Sequence, residues 1–116
     1  MLKFSTEQKM YEIGNIKVGG QPGQLPTVLF GNLFYKGMPE VTDHKEGRFD
    51  EKKVEYWIKI AEELSIETAV PHILDVTALY PKAMERYVGF IAERTENPIS
   101  INGANVETRI VGLRTA

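Results

Sequence analysis

The stretch Ile73–Glu85, ILDVTALYPKAME, decides how this chain is read. A short apolar run ends in one carboxylate, Asp75, crosses a small polar turn and enters a helix at Pro81. Proline suits the first helical position because an N–H there has no intrahelical acceptor. A buried parallel strand delivers an acid to the mouth of a βα unit in this way. Pro98–Asn105, PISINGAN, repeats the design, with a strand that delivers Asn102 and a helix that begins near Asn105. An acid and an amide at neighbouring strand tips form the main candidate site.

Working outward, the helix from Pro81 carries the stripe Met84, Tyr87, Val88 and Ile91, and the last helix has Ile110, Val111 and Leu113 as apolar contacts with Glu107 in its first turn. Upstream, Asp50 is placed to cap a helix whose stripe is Val54, Trp57, Ile58, Ala61 and Leu64, with Trp57 read as core. Thr27–Phe34, TVLFGNLF, reads as a strand covered on both faces, with Asn32 near its C-terminal end. Tyr35–Asp50 has no clear period and reads as a binding loop or a disordered excursion. Before it, Tyr11, Ile13, Ile16 and Val18 alternate about Gly14-Asn15, a hairpin signal, and Gly19–Pro26 is a loop.

Strand, helix, strand, helix, strand, helix implies a parallel sheet with βαβ crossovers. Residues 1–26 form the hairpin and Gly/Pro loop, and residues 27–116 form three βα units with strands at Thr27–Phe34, His72–Val76 and Ile99–Asn102. This order fits either an open doubly wound sheet or a slice of a barrel. A (β/α)₈ barrel takes about 250 residues, so a barrel reading makes the 116 residues a fragment of one domain.

Composition bounds the function. A formal net charge of −2 gives no basic field for nucleic acid. The chain has no cysteine, which removes thiolate catalysis and Cys-ligated metal. No apolar run is long enough to span a membrane and the start lacks a signal-peptide core, so the sequence reads as cytoplasmic. His72 lies at the strand entrance and reads as a packing residue. His44 with Asp43 and Glu46 is too sparse a set for a metal, so no metal ligand is assigned. No histidine is placed to activate a serine, and no catalytic residue is assigned.

Side chains alternate along a strand, so Phe30 shares a face with Asn32, Ile73 with Asp75, and Ser100 with Asn102. If those faces line a barrel, Asn32, Asp75 and Asn102 converge at its mouth. A carboxylate beside amides suits a planar heterocycle with donor and acceptor edges. Read alone, Asp75 equally fits a cap or turn residue, and Asn102 an Asx turn before Gly103.

The blocks GGQPGQLPTVLFGNLFY, GRFD, EELS, PHILDV and PKAMERYVGFIAE occur in this order. From about Tyr11 to Leu113 the chain resembles the N-terminal part of the MtrH component of tetrahydromethanopterin S-methyltransferase. It is equally similar to the bacterial methylcorrinoid:tetrahydrofolate methyltransferases related to that component. The resemblance implies a pterin-binding (β/α)₈ TIM barrel, here an N-terminal β-hairpin followed by three βα units of a partial barrel. It implies pterin contacts from Asp75 and Asn102, with Asn32 near the mouth. It also implies methyl transfer from a methylated corrinoid protein to N5 of tetrahydrofolate or tetrahydromethanopterin, with cobalamin carried by the partner and a homodimer at full length. Asn102-Gly103 resembles the folate-using members more than the archaeal ones. The competing expectations are a non-catalytic module binding a pterin or a corrinoid protein, and an inactive truncated piece. Any membrane association implied is peripheral, through a complex.

Overall fold

The computed structural model describes residues 2–116. In chain order the elements are β1 (Met10–Ile13), β2 (Ile16–Gly19), β3 (Leu29–Leu33), β4 (Val41–Asp43), β5 (Arg48–Phe49), α1 (Glu51–Thr68), β6 (His72–Ala78), α2 (Pro81–Ala92), β7 (Ile99–Gly103) and α3 (Val106–Thr115). β1 and β2 form an antiparallel hairpin, and Gly14 takes a left-handed φ of 59° at its turn. β3, β6 and β7 form a parallel sheet in that spatial order.

The two sheet faces differ sharply. Leu33, Leu74, Val76 and Ala78 join Val54 and Ile58 of α1 and Ala83, Met84, Tyr87, Val88, Phe90 and Ile91 of α2 in one core, with Ile99 and Ile101 packed against it. α3 meets the same face: a Cβ added at Gly112 would lie 2.6 Å from Ile101 Cγ2 and 3.1 Å from Met84 Cγ. All three helices therefore lie on one face, and the strand order advances in one direction without reversal. A doubly wound sheet would reverse its order and carry helices on both faces. Over these three strands the sheet is singly wound and open at both edges, consistent with a partial barrel, and its other face carries Phe30, Asn32, Ile73, Asp75, Thr77, Ser100 and Asn102.

Local signals explain the element ends. Asp50 caps α1 by accepting from Lys53 N at 3.2 Å. Asn105 caps α3 by accepting from Thr108 N at 2.9 Å. Pro81 opens α2, as its position predicts. Phe34, directly after β3, is fully buried with a left-handed φ of 64°. That conformation is costly for a bulky residue. It is held by a parallel stack on Tyr87, with ring centroids 4.0 Å apart, and by Phe49 edge-on at 4.8 Å.

Several expectations are corrected. Tyr35–Asp50 contains the β4–β5 hairpin, pinned to α2 by the Lys82–Glu46 ion pair and by Phe49 packed edge-on against Phe90. Two- and three-residue strands are too short to show a period. β3 is not covered on both faces, since Phe30 is 61% exposed. Trp57 is 46% exposed rather than core, and its indole N–H donates to Glu40 Oε1 at 3.0 Å. Leu64 is also exposed. Both follow from β3 being an open edge, which gives α1 no neighbour on that side. In α3 the buried residues are Thr108 and Gly112, while Ile110 and Leu113 are exposed. Small side chains bring α3 close to β7 and α2, so its contact stripe is not its apolar stripe. Among the described residues, no helix is long and apolar enough to cross a membrane.

Candidate functional site

The open face of the sheet brings the three expected residues together. Asn32 and Asp75 are register partners across β3 and β6, and Asp75 is paired with Ser100 and Thr77 with Asn102 across β6 and β7. Asp75 Oδ2 accepts from Asn32 Nδ2 at 2.5 Å and from Asn102 Nδ2 at 3.3 Å. The acid and the two amides, from three strands, thus form one hydrogen-bonded cluster on one face. A turn or capping role for Asp75 is excluded by its place as the fourth residue of the seven-residue strand β6.

Thr77 belongs to this cluster although the sequence pattern does not single it out. The strand reads as ending at Val76 with a turn after it, whereas β6 continues to Ala78. Thr77 Oγ1 accepts from Asn32 Nδ2 at 2.7 Å. The available signal is the alternation itself, because Thr77 extends the Ile73–Asp75 face by one more step and is β-branched.

The arrangement has a definite polarity. Asp75 Oδ2 receives two amide donors, and no described hydrogen bond uses Asp75 Oδ1, Asn32 Oδ1 or Asn102 Oδ1. The cluster therefore offers unengaged oxygen acceptors to a ligand edge rich in N–H groups. A groove of about 690 Å³ beside Phe49, Arg86 and Phe90 lies between the β5–α1 junction and α2 and includes no residue of the parallel sheet. The cluster lies on an open sheet face, and such a face becomes concave only where further strands curve around it. Asn32 also borders a smaller groove of about 310 Å³ with Tyr35, Met38 and Trp57, along the open β3 edge.

The other candidates resolve differently. His72 is buried at the N-terminal end of β6, and its Nε2 lies 3.2 Å from Asn97 Nδ2. Asn97 Oδ1 accepts from Asn15 Nδ2 at 2.9 Å, which ties the N-terminal hairpin to the end of the sheet opposite the acid. Asp43 accepts the backbone N–H groups of Glu46 and Lys45, each at 3.0 Å, which hold its carboxyl below the usual range. The Lys82 ammonium hydrogen-bonds Glu46 and lowers its carboxyl likewise. These acids organise the β4–β5 turn. Among the described residues, no group of three or more His, Asp or Glu is arranged to hold a metal ion.

Comparison with known proteins gives a consistent result. A family model described as "Tetrahydromethanopterin S-methyltransferase MtrH subunit" matches residues 6–116. The chain is 40% identical over all of its length to the MtrH component of tetrahydromethanopterin S-methyltransferase from Methanothermobacter thermautotrophicus, covering 37% of that protein. It is 40% identical over 88% of its length to the corresponding component of the putative methyltransferase mtx from Methanosarcina barkeri, covering 33% of it. It is 34% identical over all of its length to the MtrH component from Methanocaldococcus jannaschii, covering 36% of it. The chain thus spans little more than a third of the length of these curated relatives. The match to nearly the whole chain shows that it belongs to the MtrH family of tetrahydromethanopterin S-methyltransferase.

Proposed function

We propose that this chain forms the first three βα units of a pterin-binding (β/α)₈ barrel and supplies part of the grip on a tetrahydropterin methyl acceptor. The observation that carries the reading is the Asn32–Asp75–Asn102 cluster on the face away from the helices. The relatives' names support tetrahydromethanopterin as the acceptor. Asn102-Gly103 leaves tetrahydrofolate as the competing choice.

The residues present fit such a ring. Asp75 Oδ1 and the two amide oxygens are acceptors for the ring N–H and amino groups of a pterin. When bound, the tetrahydropterin supplies N5 as the methyl acceptor, and a corrinoid carried by a partner protein supplies the methyl group. The side chains of this chain do no covalent chemistry. They fix the ring in plane and in rotation, so that the reacting nitrogen faces outward past the C-terminal ends of the strands. A corrinoid protein docks over those ends, and the full-length assembly is a homodimer.

Isothermal titration of the chain with tetrahydromethanopterin and with tetrahydrofolate tests the reading. Weak binding of one of them, roughly millimolar, is expected, abolished by Asp75→Ala. Methylcobalamin-dependent turnover is expected to be absent, because walls and further contacts come from other strands. Binding unaffected by Asp75→Ala would overturn the assignment.

A further inference from the structure

The orientation of the Asn32 amide determines what the site can recognise, and two neighbours on β6 set it. Asn32 Nδ2 lies 2.5 Å from Asp75 Oδ2 and 2.7 Å from Thr77 Oγ1, so both of its N–H bonds have acceptors. The reverse orientation would put the Asn32 oxygen against a carboxylate that has no hydrogen to give. Asp75 alone offers its carboxylate and, at a long 3.4 Å, its backbone oxygen, which holds the second N–H only weakly about a broad last torsion. Thr77 supplies the second anchor, two residues further along β6 on the same face. Its β-branched side chain has few rotamers, so the anchor is stiff.

We propose that Thr77 is a positioning residue that locks the Asn32 amide with its oxygen outward and so makes the site an acceptor surface. The Thr77 oxygen takes the second Asn32 N–H, and no described hydrogen bond uses the Thr77 hydroxyl hydrogen. Together with the Ser100 hydroxyl on the same face, that hydrogen is a donor in a cluster otherwise weighted to acceptors, placed to meet the acceptor atom of a ligand whose neighbouring edge is N–H-rich. A lactam edge, with a carbonyl beside N–H and amino groups, has this pattern. The identity of the ligand rests on the tetrahydropterin reading; the lock does not.

The test uses the ¹⁵N-labelled chain, with the Asn32 side-chain amide pair identified by its loss in Asn32→Ser. In the wild type this pair is expected to be well dispersed and slow to exchange with solvent. Thr77→Val, which keeps the shape and β-branching, is expected to move it toward the positions of free amides and speed its exchange by about tenfold, the scale of one hydrogen bond. Thr77→Ser is expected to restore it, and Thr77→Ala repeats the loss should valine disturb the strand. Tetrahydropterin affinity is expected to follow the same order, falling several-fold in Thr77→Val and recovering in Thr77→Ser. Unchanged Asn32 amide signals in Thr77→Val and Thr77→Ala would overturn the lock. Signals that move as expected in a protein that binds no tetrahydropterin would uphold the lock and remove the pterin reading instead.

Discussion

Asn32 and Asp75 are register partners on adjacent parallel strands, and the Asn32 amide donates to the Asp75 carboxylate across 2.5 Å. If this contact organises the site, Asn32→Ala and Asp75→Ala should be coupled. A double-mutant cycle by urea unfolding is expected to give about 0.5–1.5 kcal/mol of coupling, modest because Asn32 is exposed to solvent. Purely additive effects would mean that the two side chains do not interact in solution.

The Phe34–Tyr87 stack makes a second prediction. Tyr87 is fully buried and its hydroxyl has no partner among the described residues. Burial first, and the Asp43 charge second, push its ionisation from 10 up to about 12. Because the folded chain favours the neutral phenol, this stabilisation is fully present below pH 10 and is lost as pH rises toward 12. The loss amounts to up to about 3 kcal/mol. Tyr87→Phe keeps the ring stack and removes the unpartnered hydroxyl, so it is expected to be neutral or to stabilise by roughly 1 kcal/mol at pH 7. Urea midpoints at neutral and alkaline pH should then fall less in the variant than in the wild type.

Gly112 sets how closely α3 approaches the sheet. A Cβ there would sit 2.6 Å from Ile101 Cγ2 and 3.1 Å from Met84 Cγ. Gly112→Ala therefore overpacks a junction of three elements and is expected to cost about 1–3 kcal/mol despite the better helix propensity of alanine. A rise in thermal midpoint would show that α3 is less tightly seated than described.

The N-cap of α1 offers a smaller effect. Asp50 accepts from Lys53 N at 3.2 Å. Asp50→Ala is expected to cost about 1 kcal/mol and Asp50→Asn only a fraction of that, since the carboxamide oxygen still accepts. Equal losses in both would point to charge rather than the capping bond.

Periodicity and capping make the sheet and its helices legible: Asp50, Pro81 and Asn105 mark helix starts where the sequence places them, and the Met84–Tyr87–Val88–Ile91 stripe is fully buried. Strand alternation places Asn32, Asp75 and Asn102 on definite faces of their own strands, and their convergence follows in the sequence only if those faces line a barrel. Features that depend on neighbours are not legible. Trp57 and Leu64 fall on a regular apolar stripe, yet they are exposed because the sheet ends at β3. Ile110 and Leu113 look like contacts, but Gly112 and Thr108 win by allowing closer approach. Thr77 escapes because the strand is expected to end at Val76, and β6 runs two residues further.

The proposed grip on a tetrahydropterin comes from the acid and the amides of the open sheet face. Its most direct test is a titration of the ¹⁵N-labelled chain with tetrahydromethanopterin, following the side-chain amides of Asn32 and Asn102 together with the backbone amides of β6. Saturable shifts centred on Asn32, Asp75, Thr77 and Asn102 are predicted, together with their disappearance in Asp75→Ala. Shifts confined to the helix side, or persisting unchanged in Asp75→Ala, would contradict it.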